Sequence, residues 1–241
     1  MICVTGDLHG RIDFNKLIGF RDKHKGKLSP ESDYLVILGD FGLIWQNNHK
    51  TADYKKDEKC LDRLSSWGWT TLFIDGNHEN HPRLAAYPEV DMFGGKVGKI
   101  RDNIYHLKRG RVYIIDGKKM FTFGGGLSID QEHRTEGVSW WREELPTTME
   151  MDAALTELEK HNNKVDYILT HEAPRQYVPF ILGGIDERLP ESLKYKSPLA
   201  IFFDHLHEII DFNRWYCGHY HGDYQKDKLQ VLYKSIIEIE E

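Results

Sequence analysis

Five apolar runs in this chain of 241 residues end alike. Just past them stand "GDLHG" (6 to 10), "GDFG" (39 to 42), "GNHEN" (76 to 80), "THEAP" (170 to 174) and "GHYHG" (218 to 222). A short, unbroken apolar run suits a strand buried on both faces, as in a parallel sheet. Residues just beyond such strands lie at the carboxyl edge of the sheet, where open α/β folds gather ligands. A single ending of this kind reads as an ordinary turn, because Asp and Gly are turn residues. Five endings that each supply Asp, Asn or His do not. Of the 13 histidines in the chain, His9, His78, His171, His219 and His221 stand in these segments.

The segments between the runs define the fold class. "IDFNKLIGFRDKH" puts Ile12, Leu17, Ile18 and Phe20 on one helical face. "TADYKKDEKCLDRLSSW" has helical spacing and two candidate caps, Thr51 and Asp53. The first 80 residues therefore read β-α-β-α-β, an α/β pattern with a parallel sheet. From 99 to 126, "RG" and "DGKK" break short strands and predict antiparallel pairing. The basic run "LKRGR" (107 to 111) reads as a solvated hairpin or turn. Residues 126 to 146 show no period and read as a long cover loop, a feature often functional. "TMEMDAALTELEKHNN" and "SPLAIFFDHLHEIIDF" are helices, the second started by Ser197 and Pro198. The chain closes with strands around Lys226-Asp227-Lys228. No linker interrupts it, so a single domain over 1–241 is expected.

Carboxylates, imidazoles and an Asn carbonyl suit divalent transition metals, and an N/O set without thiolate suits Mn, Fe or Zn. Seven candidates, Asp7, His9, Asp40, Asn77, His171, His219 and His221, exceed the four ligands of a closed structural zinc site. They suit two ions sharing one carboxylate, as in two-metal phosphoryl transfer.

The five segments in this order resemble the calcineurin-like metallophosphoesterase superfamily: D-x-H, G-D, G-N-H-E/D, a lone H, and G-H-x-H. The motifs span residues 6 to 222. The resemblance implies a four-layer α/β/β/α sandwich with mixed sheets. It implies two divalent ions from among Mn, Fe, Zn or Ni, with Mn favoured. Asp7, His9 and His221 would hold one, Asn77, His171 and His219 the other, and Asp40 would bridge them. A hydroxide between the ions would attack, and His78 would protonate the leaving oxygen. One departure stands out. In the phosphoprotein phosphatase branch the second motif is G-D-x-x-D-R-G, whereas this chain reads "GDFGLIWQ", with neither the Arg nor the second Asp. The acidic partner that would orient His78 is also missing from its usual place.

Cationic groups should meet the substrate phosphate. Arg134 and Arg142 in the cover loop are candidates, because the planar guanidinium fork matches phosphate oxygens. Trp140 and Trp141 are candidates to stack on a base or sugar or to pack on the core, and Arg11 follows the first motif. Glu79 should hold the loop around His78 or bond to a ligand. Cys217 reads as a small core residue, and His133, His205 and His207 as surface or boundary residues. The formal net charge of −6 argues against extensive nucleic-acid binding. No apolar stretch approaches the roughly 20 residues of a membrane span. Three cysteines without metal-type spacing, and no evident signal peptide, predict a cytoplasmic protein. The expected function is hydrolysis of phosphomonoesters or small phosphodiesters. A nuclease or RNA-end phosphatase is the alternative, and a non-catalytic protein-binding scaffold a minor one.

Overall fold

The first apolar run forms β1 (Ile2–Thr5), and the alternation that follows is the one its pattern dictates: α1 (Phe14–Lys23), β2 (Tyr34–Leu38), α2 (Ala52–Ser65) and β3 (Thr70–Ile74). Of the two candidate caps of α2, Thr51 serves: its hydroxyl oxygen accepts the Tyr54 N–H at 3.2 Å. These elements belong to a computed structural model that describes residues 1–183 and 197–239. The expected domain thus includes two stretches, 184–196 and 240–241, that lie outside the described residues.

A short α3 (His81–Ala85) leads into β4 (Glu89–Met92), β5 (Gly95–Arg101) and β6 (Ile104–Leu107). Next come β7 (Arg111–Ile115), β8 (Lys118–Phe123), α4 (Thr148–Lys160), β9 (Tyr167–Thr170) and the single turn α5 (Val178–Ile181). The described chain ends with α6 (Pro198–Ile209), β10 (Arg214–Cys217), β11 (Tyr224–Lys226), β12 (Leu229–Val231) and β13 (Ile236–Glu238). Among the described residues these strands build two mixed sheets. One runs β13-β1-β2-β3-β6-β5-β4, the other β11-β12-β10-β9-β8-β7. The strands carrying the five motifs are parallel to their motif-bearing neighbours: β1 with β2 and β2 with β3 in the first sheet, β9 with β10 in the second. Of the antiparallel pairs predicted from the turns, β7–β8 and β11–β12 form; strands β6 and β7, on either side of "RG", lie in different sheets, and β6 pairs antiparallel with β5 instead.

Side chains alternate across each strand, so each sheet has two apolar faces to cover. Val4, Leu38, Leu72, Met120, Leu169 and Tyr216 pack between the sheets. Leu35, Ile37 and Phe73 face outward onto Leu17 of α1 and Leu61 of α2. Phe121, Ile168 and Trp215 face outward onto Leu158 of α4 and Phe203 of α6. This is the expected α/β/β/α sandwich. Cys217 is fully buried in the last of these clusters, as a core residue.

The basic run at 107–111 is not a solvated hairpin. It carries the chain from one sheet to the other, since β6 pairs in the first and β7 in the second. Arg109 turns inward there. Its Nε donates to Asp75 Oδ2 at 2.8 Å, and its Nη2 donates to the backbone carbonyls of Glu143 and Glu144. Asp75 is buried, and the guanidinium holds its carboxyl well below the ordinary carboxylate range despite that burial.

Candidate metal centre

The loops after β1, β2, β3, β9 and β10 meet at one edge of the sandwich, where the two sheets present their carboxyl ends together. Backbone bonds fix the meeting: Leu8 N and His9 N donate to Asp40 O at 3.0 and 2.7 Å, and Gly218 N donates to His171 O at 2.9 Å. The turns are tight enough to force unusual backbone. His9, Asp40, His219 and His221 all have φ between 46° and 72°. Non-glycine residues rarely adopt this left-handed region, and such strain clusters at functional sites. Glycines make the room. A Cβ on Gly76 would lie 2.2 Å from Asp40 Oδ1, and one on Gly218 would lie 2.4 Å from Asp7 Oδ1.

All seven candidate ligands converge here. Ligand atoms of Asp7, His9, Asp40 and His221 lie within 4.8 Å of one another. Asp40 faces two ways. Its Oδ2 is 3.2 Å from His9 Nε2, and its Oδ1 is 3.3 Å from His171 Nε2. On the Oδ1 side, His171 Nε2 is also 3.1 Å from Asn77 Oδ1 and 3.2 Å from His219 Nδ1. Separations of this size are those between neighbouring ligands of a cation held at about 2.0–2.2 Å.

The outer bonds set the imidazoles for that task. His171 Nδ1 donates to the Leu38 carbonyl at 2.8 Å, so Nε2 is the nitrogen turned to the cluster, and a cation that displaces its proton would meet a lone pair there. His9 Nδ1 meets Asp13 Oδ2 at 3.0 Å, so its Nε2 faces the cluster. Asp7 Oδ2 is buried and accepts no hydrogen bond; His221 Nε2 stands 3.4 Å away without hydrogen-bond geometry. A buried carboxylate oxygen left orphaned in a ring of N and O donors is the arrangement a divalent cation completes. Asp7, His9, Asp40 and His221 therefore fit a divalent cation.

Electrostatics agree. Burial raises the pKa of the Asp7 carboxyl, and Asp40 adds to the rise. Burial also works against the His171 imidazolium, but Asp40 and Asp7 outweigh it and hold the group up at about 10. Burial, then the neighbouring His171, drives His219 down to about 3. Two carboxylates that share a dry site thus hold a positive charge there even without a metal.

A family model for the calcineurin-like phosphoesterases matches residues 1–223. The chain belongs to that family. Calcineurin-like phosphoesterases are hydrolases that work with divalent metals. No curated protein matches the sequence. Chains of solved structures do match it. One of them aligns at a TM-score of 0.48 and 15% identity, over 96% of this chain and 88% of its own.

Around this calcineurin-like centre, the other candidate residues divide. Arg134 arrives: Nη1 and Nη2 are each 3.3 Å from a ring nitrogen of His78, while Asp130 holds its Nε at 2.8 Å. Burial lowers the His78 pKa, and Arg134 and His9 push it further down against the pull of Asp40. Arg11 lines a cavity beside His9 and His78, with its guanidinium bound to Asp53 and Asp57. Arg142 does not reach the cluster; its side chain is 73% exposed and pairs with Glu136. Trp141 is buried, edge-on to Trp45 at 5.0 Å, and Trp140 is half-buried. His133 is exposed, as expected, and His207 bonds to the Tyr177 hydroxyl oxygen.

Four contributors escaped the sequence reading. Trp45 lies over His78 at 6.3 Å and 30°; its place five residues past Asp40, in "GDFGLIW", was the available signal. Asp13 stands at the start of α1, behind His9, and Lys16 within it, donating to the carbonyls of Gly6, Asp7 and Tyr233. Glu144 anchors the cover loop. Glu79 does hold a loop, but the one after β2: it accepts the Phe41 N–H at 2.6 Å.

Proposed function

We propose that the chain is a dinuclear, metal-dependent phosphoesterase acting on phosphomonoesters or small phosphodiesters. The observation that carries this reading is Asp40, whose two oxygens face two separate sets of N and O donors. Asp7, His9 and His221 would hold one cation, Asn77, His171 and His219 the other, and Asp40 both. Manganese is favoured, with iron, zinc or nickel as the other fits to an O/N set. Cations bound there lower the pKa of water and neutralise phosphoryl oxygens.

The remaining work falls to side chains. The His78 backbone N–H donates to Asp40 Oδ1 at 2.7 Å, which brings its ring over the cluster. That ring gives its proton to the leaving oxygen. An anionic phosphate beside it offsets the depression by burial and Arg134, because an opposite charge favours the protonated form. Arg134 presents its guanidinium to the phosphate oxygens, with Asp130 on Nε and the Ser139 carbonyl on Nη1 fixing the approach.

Two cavities meet at His78. One, of about 510 Å³, is lined by Ile12, Trp45 and Arg11; the other, of about 400 Å³, by Leu127, Ile129 and Tyr220. Ile12 and Trp45 on one side of the ring and Leu127, Ile129 and Tyr220 on the other favour a phosphodiester, with an organic group on each of its two ester oxygens. The three cysteines are unpaired, which supports a reducing, cytoplasmic setting. No helix among the described residues is long and apolar enough to cross a membrane.

The test is a screen of the manganese-loaded protein against phosphomonoesters, cyclic and linear diesters, dinucleotide polyphosphates and RNA ends. Hydrolysis of small esters that stops on chelation supports the reading. Turnover confined to RNA would favour the nuclease alternative, and no turnover on any ester would favour a binding scaffold.

A further inference from the structure

An asparagine ligand has a problem that a carboxylate does not. Its amide has an oxygen, which a cation attracts, and an NH₂, which it repels, and the two have nearly the same shape. Something must decide which end faces the cluster.

Here the decision comes from the cover loop. Asn77 Nδ2 is 3.0 Å from Ser128 Oγ, and Ser128 Oγ is 2.6 Å from Glu144 Oε2. Glu144 also takes the Ser128 N–H at 3.0 Å and the side-chain amide of Gln131 on Oε1. Asn77, Ser128 and Glu144 are all buried, Glu144 completely. Every partner of Glu144 in this set is a donor, so it acts as a carboxylate with no proton to give. The serine hydroxyl must give its hydrogen to Glu144. What remains toward Asn77 is a lone pair, which can meet only the NH₂. The oxygen is then turned to the other side, where it lies 3.1 Å from His171 Nε2. Glu144 itself is fixed from behind, because Arg109, paired with Asp75, binds its backbone carbonyl.

We infer that Ser128 and Glu144 are positioning residues that fix the Asn77 amide with its oxygen toward the metal, and that the cover loop is thereby part of the metal-binding apparatus. This rests on the reading of Asn77 as a ligand in the proposed dinuclear centre. Partners behind a metal ligand typically govern about 10- to 100-fold in affinity.

The test reverses the relay without changing its shape. In Glu144→Gln the Oε1 position must stay an oxygen to accept its two N–H groups, so the new NH₂ faces Ser128. The serine hydrogen then points at Asn77 and turns its NH₂ toward the cation. Calorimetric titration of the metal-free protein with Mn²⁺ should show two sites in the wild type. Glu144→Gln should weaken one of them at least 10-fold while the metal-free Tm changes little. Asn77→Asp should restore that site in the Glu144→Gln background, where a hydrogen now faces residue 77. In the wild-type background the same substitution should weaken it, because two lone pairs would meet. Ser128→Ala, which leaves Glu144 its other donors, should weaken the same site and serves if Glu144→Gln folds poorly. Two wild-type affinities in both Glu144→Gln and Ser128→Ala would overturn the inference alone, as would Asn77→Asp acting alike in both backgrounds. A wild type that binds fewer than two ions would overturn it together with the dinuclear reading.

Discussion

The guanidinium of Arg134 lies against the imidazole of His78, Nη1 to Nδ1 and Nη2 to Nε2, both at 3.3 Å. The guanidinium N–H groups point at the ring nitrogens, so the edge of the cation is pressed against the imidazole. A cation placed there disfavours protonation of the ring and stands ready for an anion that enters between cluster and loop.

Arg134→Ala should therefore change two quantities at once. Loss of a charge-assisted contact to phosphate, worth about 1.5–3 kcal/mol, lowers kcat/KM roughly 10- to 100-fold. Loss of the cation raises the His78 pKa, so the high-pH fall in activity moves to higher pH. Metal content should not change. The pH–rate profile and metal analysis of the variant check this; unchanged kinetics would make Arg134 a structural partner of Asp130.

His78→Ala should keep its metals and lose activity according to the leaving group. General acid catalysis is worth about 10²–10⁴-fold, most of all for a basic alkoxide. Alkyl phosphate esters should lose most of their rate and a nitrophenyl ester much less. Equal losses across leaving groups of graded pKa would remove His78 from the acid role.

Arg109→Met should destabilise the fold by about 3–5 kcal/mol, because it strands the buried Asp75 charge. The double variant with Asp75→Asn should recover much of that loss. Denaturant unfolding of the three variants measures the coupling; additive losses would contradict it.

His81 ties stability to pH. It is buried, its Nε2 has no partner, and burial brings its pKa down to about 4. The unfolded imidazole titrates near 6.5, so between the two values the unfolded state binds more protons. Stability should fall as pH drops from about 6.5 to 4, by up to about 1.4 kcal/mol per pH unit from this group. His81→Gln should flatten the slope of unfolding free energy against pH in that window. An unchanged slope would place the acid sensitivity elsewhere.

Much of this was legible in the chain itself. Unbroken apolar runs announce buried strands, and side chains that end them in Asp, Asn or His announce the edge where they meet, because both signals are local. The crossover at 107–111 was not legible. A short Gly turn between two apolar runs reads alike whether the strands pair or part into separate sheets. Arg109 looks solvated until Asp75, 34 residues earlier, is seen beneath it. Trp45 against His78 and Glu144 behind Ser128 are likewise products of tertiary packing, which neither periodicity nor spacing records.

If Asp40 joins two donor sets into one dinuclear centre, a count of tightly bound divalent ions in wild type and Asp40→Asn will show it. The wild type should hold close to two ions per chain and lose ester hydrolysis on chelation, and Asp40→Asn should lose both metal and turnover. One ion or fewer with full activity in excess chelator, or an Asp40→Asn protein with wild-type metal content and turnover, would contradict it.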